Sequence, residues 1–131
     1  TGTMEEEEAW AAVGLRLQLH GDATGPTPTP GSMCDVYYRG RLGSADGAPF
    51  DAAWPPQPPL RVRVGRAEVI AAWDVALLRM AVGQRATLVA PPALAYGRKG
   101  RPPKIPAAAT LHFELWLAAA AADAALTSIC A

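Results

Sequence analysis

Residues 68–80, EVIAAWDVALLRM, form the one convincing helical stretch in the middle of a chain whose other segments read as strands. Ile70, Trp73, Leu77 and Met80 fall three and four residues apart, which gathers them on one apolar face. Gly65 precedes the stretch and Gly83 follows it, as helix-ending glycines do. Around it, segments 15–20, 33–42, 60–64, 85–90 and 110–117 carry alternating or β-branched apolar residues. One helix among five strands buries its stripe in one obvious way, with the sheet wrapped around it. The fold class expected is therefore α+β: a half-open antiparallel β-sheet curled around one short α-helix, with a short extra N-terminal helix. Trp73 on such a helix is large enough to floor a pocket between helix and sheet.

Composition narrows the functions open to this chain. Its 131 residues, half of them apolar, suit one domain with one core. Twelve basic and twelve acidic residues leave a formal charge of zero, which argues against nucleic acid as the main partner. Thirteen prolines and twelve glycines favour turns over long helices. Cys34, Cys130, His20 and His112 stand apart and match no metal spacing, so neither a metal nor a cofactor is expected. No apolar run is long enough to span a bilayer. No signal peptide is read, but the chain opens on Thr1 rather than methionine, which leaves a trimmed targeting segment open. A cytoplasmic location is the expectation.

Taken in order, the chain first offers a short helix over 3–13, capped by Thr3, acidic in its first turn and closed by Gly14. The stretch 25–31, GPTPTPG, must be an extended turn. Segment 33–42 reads as a central strand. Residues 43–49 turn into Phe50 and Asp51. The prolines of 52–59, AAWPPQPP, keep that segment out of a sheet interior, as a loop or bulge interrupting an edge strand. Residues 93–106 make a long loop with Arg98, Lys99, Arg101 and Lys104, placed to overhang a pocket mouth. Residues 118–131 are alanine-rich and helix-prone. Three parts are expected: an acidic extension over 1–13, a domain over 14–119, and a tail or linker over 120–131.

Several short motifs occur in a fixed order: Tyr37-Tyr38-Arg39-Gly40, Phe50-Asp51, Val69-Ile70 with Trp73, Met80 through Arg85, Pro92 through Gly97, and Ile105-Pro106 leading to Ala109-Thr110-Leu111. In this order and spacing they resemble the FKBP-type peptidyl-prolyl cis–trans isomerases, the immunophilins that bind tacrolimus and rapamycin. The resemblance covers about residues 14–117 and implies the same curled sheet. It implies isomerase activity on proline-containing peptides or proteins, with Asp51, Trp73 and Tyr96 as the catalytic set. The implied substrate pocket holds Tyr38, Phe50, Asp51, Leu60, Val69, Ile70, Trp73, Tyr96, Ile105 and Phe113. Trp73 would be its floor, with Tyr38, Phe50 and Phe113 as walls. The Tyr96 hydroxyl and the Ile70 N–H would hold substrate carbonyls. Asp51 would be hydrogen-bonded to Tyr38 and would not serve as a general base. The resemblance further implies tacrolimus and rapamycin as ligands and assistance to protein folding. A protein partner could be met through loop 93–106 or the terminal extensions.

Four positions depart from that pattern. Leu60 stands where an aromatic is usual, and Ala72 where a glycine precedes the tryptophan. The basic residue that often faces the pocket acid falls within 55–59, and Arg101 stands where another polar residue is common. Leu60 and the proline-rich segment also suit a second reading, a docking module with weak or no isomerase activity inside a larger assembly.

Overall fold

The computed structural model describes residues 10–122. Six strands form one antiparallel sheet: β1 (Arg16–His20), β2 (Met33–Leu42), β3 (Pro49–Ala53), β4 (Leu60–Arg63), β5 (Arg85–Ala90) and β6 (Leu111–Ala121). The strand order is β1-β5-β6-β2-β3, and β4 also pairs with β2. The helix α1 (Ala71–Leu77) packs on the inner face of this sheet, as the sequence pattern requires.

The core follows from alternation along the two longest strands. On β2, Cys34, Val36 and Tyr38 point inward while Asp35, Tyr37 and Arg39 point outward. On β6, Leu111, Phe113, Leu115 and Leu117 point inward. The register pairs Val36 with Leu117 and Tyr38 with Leu115, so the two apolar rows coincide. Trp73, Ala76, Leu77 and Met80 close over them from the helix side.

The helix is shorter than the stretch 68–80 suggested. Ile70 is extended, at φ −58° and ψ 149°, and helical geometry starts only at Ala71. The Asp74 carboxylate accepts the N–H groups of Gly65 and Ala67 at 2.8 and 3.3 Å. That tie folds the 64–70 turn back onto the helix and leaves no room for another helical turn ahead of Ala71. Ile70, like Trp73, packs with the core, but it does so partly buried and from extended backbone.

Three strand readings also change. β3 is a strand where a turn and loop were expected. It pairs with β2 through Tyr38–Ala53, Arg39–Ala52 and Gly40–Asp51. The proline-rich residues 54–59 then separate β3 from β4, and both pair along the same edge of β2. β6 runs to Ala121, past the expected end at Leu117, because Ala119, Ala120 and Ala121 pair with Asp35, Cys34 and Met33. Pairing to the central strand overrides the helix preference of alanine. β1 contributes less than its alternation promised: it pairs only with β5, and Leu19 is 41% exposed.

At the start, residues 10–12 make one helical turn, closed by Gly14 at φ +95° with the Leu15 N–H on the Trp10 carbonyl. The rest of the expected helix over 3–13, and residues 123–131 of the expected tail, lie outside the described residues. No helix among the described residues is long and apolar enough to cross a membrane.

Candidate active site

The site begins with a bulge. Between the pairs Gly40–Asp51 and Arg41–Pro49 the β3 register shifts by one, leaving Phe50 without a partner across from it. Its ring fills the space beside Gly40. A Cβ built on Gly40 would lie 2.5 Å from Phe50 Cζ and 3.0 Å from Phe113 Cε1. Glycine at this inward position of β2 therefore makes room for two aromatic rings.

Those rings meet the helix tryptophan. Phe50 stands edge-on to Phe113 at 5.7 Å, Phe113 edge-on to Trp73 at 5.5 Å, and Trp73 edge-on to Tyr38 at 5.0 Å. Trp73 is 4% exposed. Its Nε1 donor is buried without an acceptor, as is that of Trp10. Above Trp73 opens a cleft of about 280 Å³. It is lined by Tyr38, Phe50, Asp51, Leu60, Val69, Ile70, Trp73, Tyr96 and Phe113, nine of the ten pocket residues named from the sequence.

The tenth, Ile105, is buried and lines an adjoining cleft with Pro102, Pro103 and Lys104. Phe50, Asp51, Tyr96 and Arg101 border both clefts. Two further residues, Glu68 and Arg101, line the main cleft and were not among the expected pocket residues. Glu68 directly precedes Val69-Ile70, so its place was legible; it accepts the Arg63 N–H at 2.9 Å. Arg101 is held at the mouth by a tight loop in which its backbone exchanges hydrogen bonds with Ile105, at 2.9 and 3.1 Å. Its guanidinium lies 5.8 Å from the Tyr96 ring centre.

The polar groups are few and positioned. The Tyr38 hydroxyl donates to Asp51 Oδ2 at 2.7 Å, and the Ala52 N–H donates to Oδ1 at 2.9 Å. Burial, followed by the hydrogen bond to Asp51, pushes the Tyr38 hydroxyl well above its usual range, so it stays a donor. Asp51 takes no part in the ion pairs Arg39–Glu114 and Arg61–Asp35. Among the described residues, neither the Ile70 N–H nor the Tyr96 hydroxyl has a hydrogen-bond partner. No group of three or more histidine, cysteine or carboxylate ligands is assembled among those residues. The arrangement can hold an apolar ring against Trp73 and offer donors to carbonyl oxygens at the rim.

Residues 25–118 match the family model described as FKBP-type peptidyl-prolyl cis-trans isomerase. The chain is 42% identical over 87 residues to human "Peptidyl-prolyl cis-trans isomerase FKBP2", covering 66% of this chain and 60% of that one. It is 39% identical over 111 residues to the "46 kDa FK506-binding nuclear protein" of Spodoptera frugiperda, covering 85% of this chain and 26% of that one. Among solved structures, that of AtFKBP13 superposes with a TM-score of 0.75 at 33% identity, covering 82% of this chain and 94% of that one. The chain thus spans between about a quarter and three fifths of these two curated relatives.

Proposed function

The chain belongs to the FKBP-type peptidyl-prolyl cis–trans isomerase family, and from that membership we propose that it accelerates rotation about X–Pro bonds through the cleft floored by Trp73. Such a bond crosses a barrier of about 18–20 kcal/mol because twisting destroys amide resonance. The planar amide has a large dipole that water solvates well, and the twisted amide has lost much of it. A water-poor aromatic cleft therefore favours the twisted form, which is differential binding of the transition state. The proline ring rests on Trp73. The Tyr96 hydroxyl and the Ile70 N–H hold carbonyls while the other end of the bond turns. Asp51 fixes Tyr38 and removes no proton, since rotation requires none.

The observation that carries this reading is the seating of Trp73. Buried to 4% exposure, it has aromatic walls edge-on at 5.0 and 5.5 Å, and an open cleft above it. Tacrolimus and rapamycin are proposed as ligands of the same cleft, and assistance to protein folding in the cytoplasm as its setting. The test is a proline-limited refolding assay. Micromolar protein should raise the slow refolding rate, and a rate equal to the uncatalysed one would sink the proposal.

A docking module with little activity is the second reading. It is favoured by Leu60, which lines the cleft as an aliphatic wall 38% exposed. Under that reading pocket ligands bind but leave the refolding rate unchanged and do not displace the partner.

A further inference from the structure

The outer face of the sheet, opposite the core, carries a second aromatic cluster that the cleft does not use. Strand register lines up His20, Arg85, Trp116 and Tyr37 in one row across β1, β5, β6 and β2. Trp54, just past β3, leans over the end of that row. Tyr37 and Trp116 are 5.1 Å apart, Trp54 and Trp116 5.9 Å, and Tyr37 and Trp54 6.4 Å between ring centres. All three rings are only partly buried. They alternate with the inward residues of their strands, so the core does not require them. Three large rings clustered on a solvent face mark a surface that meets something.

The surrounding charges say what kind of partner fits. The Arg39 guanidinium lies 4.0 Å from the Trp54 ring centre and is paired with Glu114 at 3.4 Å. The Arg85 guanidinium lies 4.6 Å from Trp116 and 5.7 Å from Trp54, and no ion pair occupies it among the described residues. Stacking on indole holds the planar fork in place and leaves its N–H edges free, the arrangement that suits a carboxylate. A shallow groove of about 180 Å³ runs beside it, lined by His20, Trp54, Arg85, Thr87 and Glu114. The adjoining row of the same face carries the paired Arg39 and Glu114, and the row beyond it adds the positive charge of Arg16 and Arg41.

We infer that this outer face is a docking site for an acidic segment of a protein partner, in which a carboxylate engages Arg85 and a neighbouring apolar side chain packs against the ring edges of Trp54 and Trp116 that the guanidinium groups leave uncovered. Nucleic acid would need open ring faces on which bases stack. Here guanidinium groups already cover those faces, and the whole chain has no net positive charge. The site is independent of the cleft, so both can be occupied at once.

The experiment uses the full chain and fluorescence anisotropy. The probe is a labelled twelve-residue peptide alternating Glu with Phe or Leu. An all-Glu peptide and a twelve-nucleotide oligothymidine serve as comparisons. The alternating peptide should bind, and more weakly as salt is raised. Arg85→Gln should cost about tenfold or more in affinity. Arg85→Lys should recover only part of it, because lysine keeps the charge without the fork. Rapamycin binding, measured on each variant, should equal wild type and so confirms folding. Three results would overturn the proposal: no binding of the alternating peptide, equal affinity for the all-Glu peptide, or tighter binding of the oligothymidine. Unchanged affinity in Arg85→Gln would overturn it as well.

Discussion

Replacing Trp73 by leucine should separate the cleft from the core. A buried tryptophan covers about 150–250 Å², and a leucine refills roughly half of that. The remaining loss of about 100 Å² is worth about 2.5 kcal/mol. The two edge-on partners, Tyr38 and Phe113, add about 0.5–1.5 kcal/mol each. Removing the unpaired Nε1 donor returns about 1 kcal/mol. The net destabilisation is then about 2.5–4.5 kcal/mol, less than the whole stability of most domains. The cleft loses the flat face on which a ligand ring rests, so rapamycin affinity should fall by about ten- to a hundredfold. Leu117→Ala provides the comparison. Leu117 is fully buried and does not line the cleft, and its truncation should cost about 2–5 kcal/mol. Urea unfolding followed by circular dichroism gives both stabilities. Calorimetric titration with rapamycin, under conditions where every variant is folded, gives the affinities. Leu117→Ala should bind like wild type. Equal affinity losses in the two variants, or none in Trp73→Leu, would refute the assignment of Trp73 as the floor.

Three other outcomes follow from single groups. Tyr96→Phe should weaken rapamycin binding by about 0.5–1.5 kcal/mol, one neutral hydrogen bond, with an unchanged urea midpoint. Changing Arg98, Lys99, Arg101 and Lys104 together to glutamine should slow association of an acidic proline peptide in stopped flow. That loss should shrink as salt rises, and a salt-independent loss would rule out steering. The Cys34 thiol is pushed up from 9.0 to about 11, by burial first and the Asp35 charge second. The folded chain thus keeps this proton after the unfolded chain has lost its own. The contribution is full below pH 9 and lost as pH rises toward about 11. Urea midpoints should decline over that window in wild type and decline less in Cys34→Ala.

The central architecture could be read from apolar spacing alone, since a single helical stripe among strands has one place to go. The strands with strict alternation, β2 and β5, were legible to the residue. Errors fell where pairing or side-chain ties overrule local preference. Apolar spacing and the flanking glycines suggested a helix from Glu68, but the Asp74 carboxylate binds the turn at Gly65 and Ala67 and Ile70 is extended. Alanines at 118–121 suggested helix, yet Met33, Cys34 and Asp35 supply strand partners for them. The prolines around Trp54 hid β3, because a bulge at Phe50 and a break before β4 are decided across the sheet. Seven of the nine cleft residues stand in the ordered motifs, and Leu60 and Phe113 were named through the family resemblance. Ile105 is placed in the neighbouring cleft because the tight loop between Arg101 and Ile105 turns it there. The outer aromatic row escaped notice because Tyr37, Trp54 and Trp116 are far apart in sequence and meet only through register.

The central claim is that the cleft turns X–Pro bonds by favouring a twisted amide, with no proton transferred. Exchange NMR on a short Leu-Pro peptide measures this directly, since cis and trans forms give separate lines. Catalytic amounts of the protein should raise the exchange rate between those lines. The rate should stay flat from about pH 6 to 9, where the raised Tyr38 hydroxyl keeps its proton, and stoichiometric rapamycin should abolish the increase. No acceleration, or a rate that follows a titration across that range, would contradict the account.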